Sequence, residues 1–448
     1  MSHTNIHVSD VRTTLAKHIL ADGYEMVLDL EESHGSYLVD KVTNKEYLDF
    51  FTFFASNPLG MNHPSLNNEE FIERIGKAAI NKPSNSDIYT EYMAEFMETF
   101  ERVGIPDYLP YAFFISGGAL AVENAMKVAF DWKVQKNFHC GYREEKGHLV
   151  LHFENAFHGR TGYTLSVTNT IPDKVKYFPK FNWPRVISPA NHYPETDESV
   201  AHVVKYEYLA IEQAKRYFET HKDEIACILI EPIQAEGGDR HFRREFHQEL
   251  RKLADTYEAL LIYDEVQTGI GLTGKFWAHE HFVKPDIIAF GKKAQVCGIL
   301  AGKRLDEVET NCFKVSSRIN STWGGNLVDM VRFQRILEVI EQDNLVENAA
   351  NFGEHLLKGL HHLNSKHTHF SNPRGKGLMC AIDLPNSHAR DSIVTECMNQ
   401  GLMILGCGAR TIRFRPALTV LKNEIDQALS ILSSAYNSTI SHCPAVFE

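Results

Sequence analysis

Two apolar runs in this chain each end in a group that can do chemistry. Residues 261–263 (Leu-Ile-Tyr) lead into Asp264-Glu265, and residues 287–290 (Ile-Ile-Ala-Phe) lead into Gly291-Lys292-Lys293. Runs of this length and composition predict buried strands, so the acid and the amine stand where strands give way to loops. Desolvation beside an apolar wall lowers an amine's pKa and makes it a Schiff-base nucleophile. A carboxylate nearby can keep a heterocyclic nitrogen protonated, which an electron-sink cofactor requires. Either residue alone is ordinary turn chemistry; together they suggest pyridoxal phosphate.

Three further stretches follow predicted strands. Ser116-Gly117-Gly118-Ala119-Leu120-Ala121 precedes a predicted helix carrying Glu123 and Asn124. Small residues there let the backbone approach an anion, and a helix N-terminus favours phosphate. The spacing matches neither the dinucleotide fingerprint nor the Walker pattern. Residues 154–161, Glu-Asn-Ala-Phe-His-Gly-Arg-Thr, put an aromatic at a strand's end, where Phe157 can cap the core and His158 can pack as a neutral ring. Residues 231–239 form an acid-rich turn. Asp264 and Glu265 are no glycosidase pair, because adjacent strand residues face opposite sides. His361, His362, His367 and His369 lack metal-ligand spacing, so no metal is expected.

The elements that must carry these residues are those of an α/β protein. From 61 to 330, apolar runs (112–115, 149–153, 227–230, 260–263, 287–290 and 299–301) alternate with helical patterns such as 123–134 and 247–257. That alternation predicts a large domain with a mostly parallel sheet flanked by helices, whose ligands sit beyond the strands' carboxyl ends. Residues 1–60 hold short strand-like runs at 26–30, 36–39 and 47–51. This segment is too small to cover its own faces and is expected to pack on a C-terminal partner. Residues 331–448 alternate helices (330–342, 346–361, 424–436) with strands near 377–383, 403–405 and 411–415. Segments 1–60 and 331–448 are therefore expected to make a smaller α+β domain.

At 448 residues, 43% hydrophobic and 23% charged, the chain reads as a soluble globular protein. A net charge of −12 argues against nucleic acid or an anionic membrane as partner. The eight cysteines are scattered without Cys-x-x-Cys pairs, as expected of reduced thiols in a cytoplasm. No signal-peptide core is expected near the N-terminus and no apolar run reaches transmembrane length.

Residues 261–302 also resemble the signature of the class III (ω-) aminotransferases, pyridoxal-phosphate enzymes of fold type I. In that family an Asp-Glu-x-Gln-Thr-Gly element, filled here by Asp264, Glu265, Gln267, Thr268 and Gly269, precedes the Schiff-base lysine. A short run of small residues before Gly298 makes Lys293 the better match than Lys292. The resemblance implies that Gly118 and Ala119 bind the cofactor phosphate, that Phe157 stacks on the ring with His158 beside it, and that Asp264 pairs with the ring nitrogen next to Gln267. It implies that Arg160 takes a substrate carboxylate and that Asn320 lies near the substrate. Glu236 would pair with Arg413 (Arg415 being the second candidate) as a gate admitting ω-amino donors when closed and 2-oxoacids when open. Thr322 would reach the phosphate of the other subunit, giving a homodimer with shared sites. Residues 49–56, 291–298 and 320–326 place the resemblance closest to the subgroup that moves the ε-amino group of L-lysine to 2-oxoglutarate. 4-Aminobutyrate or ornithine donors, or a same-fold aminomutase, are the alternatives.

Overall fold

A computed structural model describes residues 6–447; residues 1–5 of the N-terminal segment and residue 448 of the C-terminal one lie outside it. The centre is a seven-stranded sheet in the order Tyr111–Ile115, Cys297–Ala301, Ile287–Phe290, Leu260–Asp264, Ile225–Ile230, Leu149–Phe153, Arg185–Val186. Only Cys297–Ala301 runs against its neighbours; the others pair in parallel. Strands Ile225–Ile230, Leu260–Asp264 and Ile287–Phe290 are buried at every position, which is why they read as unbroken apolar runs rather than alternating ones. The α/β architecture expected from the alternation is the one formed. Strand Arg185–Val186 and the long helix Asp197–Thr220 were not anticipated: the first is two residues long, and the second is polar on most of its surface.

Helix Gly118–His139 lies on one face of the sheet and buries Ala121, Ala125, Met126, Ala129 and Trp132. It runs longer at both ends than the expected 123–134. Helices Glu91–Val103 and Leu327–Gln342 pack together on the other side, where Phe96, Phe100, Phe114, Phe290 and Phe333 form an aromatic cluster. The smaller α+β part contains the sheet Ser371–Lys376, Met379–Asp383, Thr411–Phe414, Leu405–Cys407. Strand Glu46–Asp49 of the N-terminal segment pairs in parallel with Leu402–Met403 of the C-terminal one, so the two ends of the chain meet. The expected strand at 26–30 is only a bridge from Leu28 to Asp40.

One local feature is costly. Thr52, Phe53, Phe54 and Ala55 are consecutive non-glycine residues with φ of 41°, 52°, 61° and 65°, a left-handed turn at about 1–2 kcal/mol per residue. Asp49 Oδ1 accepts from the amides of Phe51 (2.9 Å) and Thr52 (2.7 Å), and Thr52 Oγ1 donates to the carbonyl of Arg415 (2.6 Å). Burial raises the Asp49 carboxyl to about 6 despite those two amides.

Candidate active site

Beyond the carboxyl ends of the central strands lies a cavity of about 310 Å³, in the size range of small-ligand sites. Gly118 and Ala119 line one end of it. They open a 22-residue helix whose N-cap, Gly117 (φ 109°), contributes no side-chain hydrogen bond. A Cβ on Gly117 would meet nothing within 4 Å, so the space over these first-turn amides is open and the amides are free to hold a phosphate.

Another wall carries Asp264. His158 Nδ1 donates to its Oδ2 at 2.8 Å, and the amide of Val266 donates to its Oδ1 at 3.1 Å. His158 is itself fixed, its amide donating to Thr168 Oγ1 (2.9 Å), and its Nε2 is buried without a partner. The ring of Phe157 lines the same space. A phosphate cradle, an aromatic face and an anchored carboxylate thus border one slot, and this donor set suits pyridoxal phosphate.

The lysine facing the cavity is Lys292. Burial, with Arg413 and Arg415 adding, lowers its pKa to about 8, against the opposing pull of Asp264 and Glu231. Lys293, the expected Schiff-base residue, points elsewhere. It is 2% exposed and its Nζ donates to the carbonyls of Gln267 (2.8 Å) and Ala55 (3.2 Å). The cause is local: Lys292–Ala294 is a 3₁₀ turn, which sends neighbouring side chains about a third of a turn apart, and Lys292 enters it with φ 50°. Spacing to Gly298 could not register that rotation.

The expected pair of Glu236 with Arg413 is also absent. Glu236 lines the cavity but pairs with Lys174, at the end of the turn Pro172–Lys174, and accepts from Thr170 Oγ1 at 3.3 Å. Arg415 is committed to a fully buried pair with Asp239, the acid three residues beyond Glu236. Arg413 Nη1 donates to Gln267 Oε1 (3.3 Å), while its Nε is buried and unpartnered. Gln267 Oε1 also accepts from Arg415 Nε at 3.2 Å, so this cavity-lining amide organises both guanidinium groups.

Arg160 is exposed and does not line the cavity; Asn320 and Thr322 are exposed as well. Their loop is tethered from behind, where Ser86 Oγ donates to Ser321 O (2.7 Å) and Asn85 Nδ2 to Gly325 O (3.1 Å). Thr322 therefore faces outward.

Glu231 is a cavity residue that sequence reasoning passed over as part of a turn. Its carboxylate accepts from the amides of Phe157 and Ala235, both at 3.0 Å. It thereby ties the stacking loop to the loop of Glu236. Burial, reinforced by Asp264 and opposed by His158, raises its pKa to about 7. The available signal was its place directly after the fully buried strand Ile225–Ile230.

Fold and site together define a pyridoxal-phosphate-dependent aminotransferase. The chain belongs to the class-III aminotransferases, whose family pattern matches residues 19–436. It is 52% identical over 428 residues to the L-lysine-epsilon aminotransferase of Mycobacterium tuberculosis (strain ATCC 25618 / H37Rv), covering 95% of each chain. It is 49% identical over 437 residues to the enzyme of that name from Streptomyces clavuligerus, covering 96% of this chain and 95% of the relative. Among solved structures, the lysine aminotransferase from M. tuberculosis in the internal aldimine form superposes with a TM-score of 0.94 at 50% identity, covering 98% of this chain and all of that one (100%).

Proposed function

We propose that this aminotransferase moves the ε-amino group of L-lysine to 2-oxoglutarate, giving L-glutamate and 2-aminoadipate 6-semialdehyde, which cyclises to piperideine-6-carboxylate. The observation that carries the reading is the near full-length likeness, at about half identity, to enzymes named for lysine ε-amination, joined to a cavity with the right donor set. When bound, pyridoxal phosphate supplies an aldehyde that condenses with amines and a ring that takes up the electron pair left by a departing proton. The chain's residues do the rest. Lys292 would supply the linking amine and, once displaced by substrate, would carry a proton away from the carbon bearing the amine and deliver it to the carbon on the far side of the nitrogen. Asp264, pinned by His158, holds a proton at the ring nitrogen. Phe157 covers one face, and the amides of Gly118 and Ala119 bind the phosphate.

Regiochemistry follows from anchoring: with the α-carboxylate of lysine held far from the cofactor, only the side-chain amine reaches it. Arg160 and Asn320 are assigned to that anchoring, and Arg413, steadied by Gln267, to the carboxylate of the 2-oxoacid. A homodimer supplies Thr322 to the neighbouring site. The exposed side chains of Ile88, Tyr89, Tyr177, Phe178 and Trp323 support such an interface. Residues 6–60 and 331–447 act as one smaller domain beside 61–330. The cytoplasm is the proposed location, supported by eight cysteines that are all unpaired. Among the described residues, no helix is long and apolar enough to cross a membrane.

The test offers lysine, ornithine and 4-aminobutyrate with 2-oxoglutarate, following glutamate and trapping the cyclised semialdehyde. Lysine-dependent glutamate is expected; its absence would refute the donor while leaving the aminotransferase chemistry in place.

A further inference from the structure

The second lysine has no part in the chemistry above, yet it is almost completely buried, and its amine ends on two backbone carbonyls rather than on a carboxylate. Burying such a group without a hydrogen-bonded counter-charge is costly, and burial, with Lys292 and Arg415 adding and Glu265 opposing, holds its pKa well below the ordinary lysine value. The two carbonyls belong to separate segments. Ala55 closes the left-handed turn 52–55. Gln267 lines the cavity, and its side-chain oxygen accepts from Arg413 and Arg415. A second strap runs in parallel, with Gln295 Nε2 donating to the carbonyl of Ser56 at 2.7 Å. A strained turn persists only where its surroundings over-determine it, and here Lys293 and Gln295 both secure its end.

We infer that Lys293 is a positioning residue: by bridging Ala55 O and Gln267 O it locks the left-handed turn to the loop of Gln267. It thereby fixes the two guanidinium groups that Gln267 steadies. The inference rests on the reading that Lys292 links the cofactor and Arg413 meets the acceptor's carboxylate. Its effect falls on acceptor binding rather than on the chemical step.

The experiment compares K293M with K292A in the full chain. K293M is expected to keep the near-visible absorption band of lysine-linked cofactor. Its KM for 2-oxoglutarate should rise roughly tenfold, the scale of one lost hydrogen bond, while kcat changes much less. In the cofactor-free protein, amide hydrogen exchange across residues 52–57 should accelerate roughly tenfold. A lost band in K293M with a retained band in K292A would overturn the assignment of Lys292 and this inference with it. A retained band with unchanged KM and unchanged exchange would overturn this inference alone. If K293M yields no folded protein, K293Q, whose shorter neutral amide cannot span both carbonyls, decides. Faster exchange over 52–57 with a raised KM for 2-oxoglutarate supports the role, and wild-type values of both overturn it.

Discussion

His158 donates through Nδ1 to Asp264 Oδ2 at 2.8 Å, and both side chains are buried. That bond leaves Asp264 no freedom to turn from the cavity, and it sets the proton on one ring nitrogen of the histidine. Replacing His158 with Phe removes the donor and keeps a ring of similar bulk. Turnover is expected to fall roughly 10- to 100-fold, the range for a hydrogen bond to a charged group, with faster loss of cofactor on dialysis. Unchanged turnover and retention would show that Asp264 needs no such support.

The lowered pKa of Lys292, about 8, predicts how the cofactor-free protein takes up pyridoxal phosphate. The neutral amine is the nucleophile, so below pH 8 most of it is protonated and slow. Stopped-flow absorbance between pH 6 and 9.5 should show the rate of linkage rising with pH and levelling above about 8. A rate that climbs on toward the ordinary lysine range would contradict the site's electrostatics, and K292A should give no linked band at any pH.

Glu231 sets a pH dependence of the opposite sense. Its pKa is raised to about 7, so between the ordinary carboxyl value of 4.5 and 7 the folded state binds more protons than the unfolded chain. Stability from this group therefore falls as pH rises through that window. Thermal denaturation of cofactor-free protein at pH 5 and pH 8 should show the wild type losing more stability than E231Q over that interval. Equal changes would mean the carboxyl titrates normally.

Lys174 bears on how the two half-reactions are separated. It pairs with Glu236 and its Nζ lies 5.2 Å from the Phe157 ring centroid. Removing it in K174A leaves Glu236 without its cation and free to neutralise Arg413. The KM for 2-oxoglutarate should then rise several-fold while single-turnover reaction with lysine is nearly unaffected. Equal effects on both half-reactions would argue that Lys174 serves the structure alone.

How much of this was readable from the residues depends on how locally each feature is determined. The place of Asp264 was legible because it closes a strand buried on both faces, whereas glycines between a strand and a helix are a weak signal alone, and Gly118 with Ala119 were reached through the family resemblance. The choice between adjacent lysines was not legible: it turns on a left-handed backbone at Lys292, which neither pattern nor spacing encodes. The partner of Glu236 was missed for a different reason. Lys174, Asp239, Arg413 and Arg415 compete for one another across long sequence separations, and reach in space decides the winners. Glu231 was hidden because its role is to hold backbone amides, which leaves no signature in side-chain spacing. In the fold, buried parallel strands announced themselves, while a two-residue edge strand and a polar helix did not.

Lys292, the amine proposed to link the cofactor, occupies the short reversal between Ile287–Phe290 and the oppositely directed Cys297–Ala301, both fully buried in the middle of the sheet. Lengthening or shortening that six-residue link would swing the nitrogen out of its niche or tear the ladder open. New donor preferences, whether arising by natural drift or by engineering, therefore have to be sought in the rim loops around residues 154–174 and 231–239, with the hairpin that carries the nucleophile left untouched.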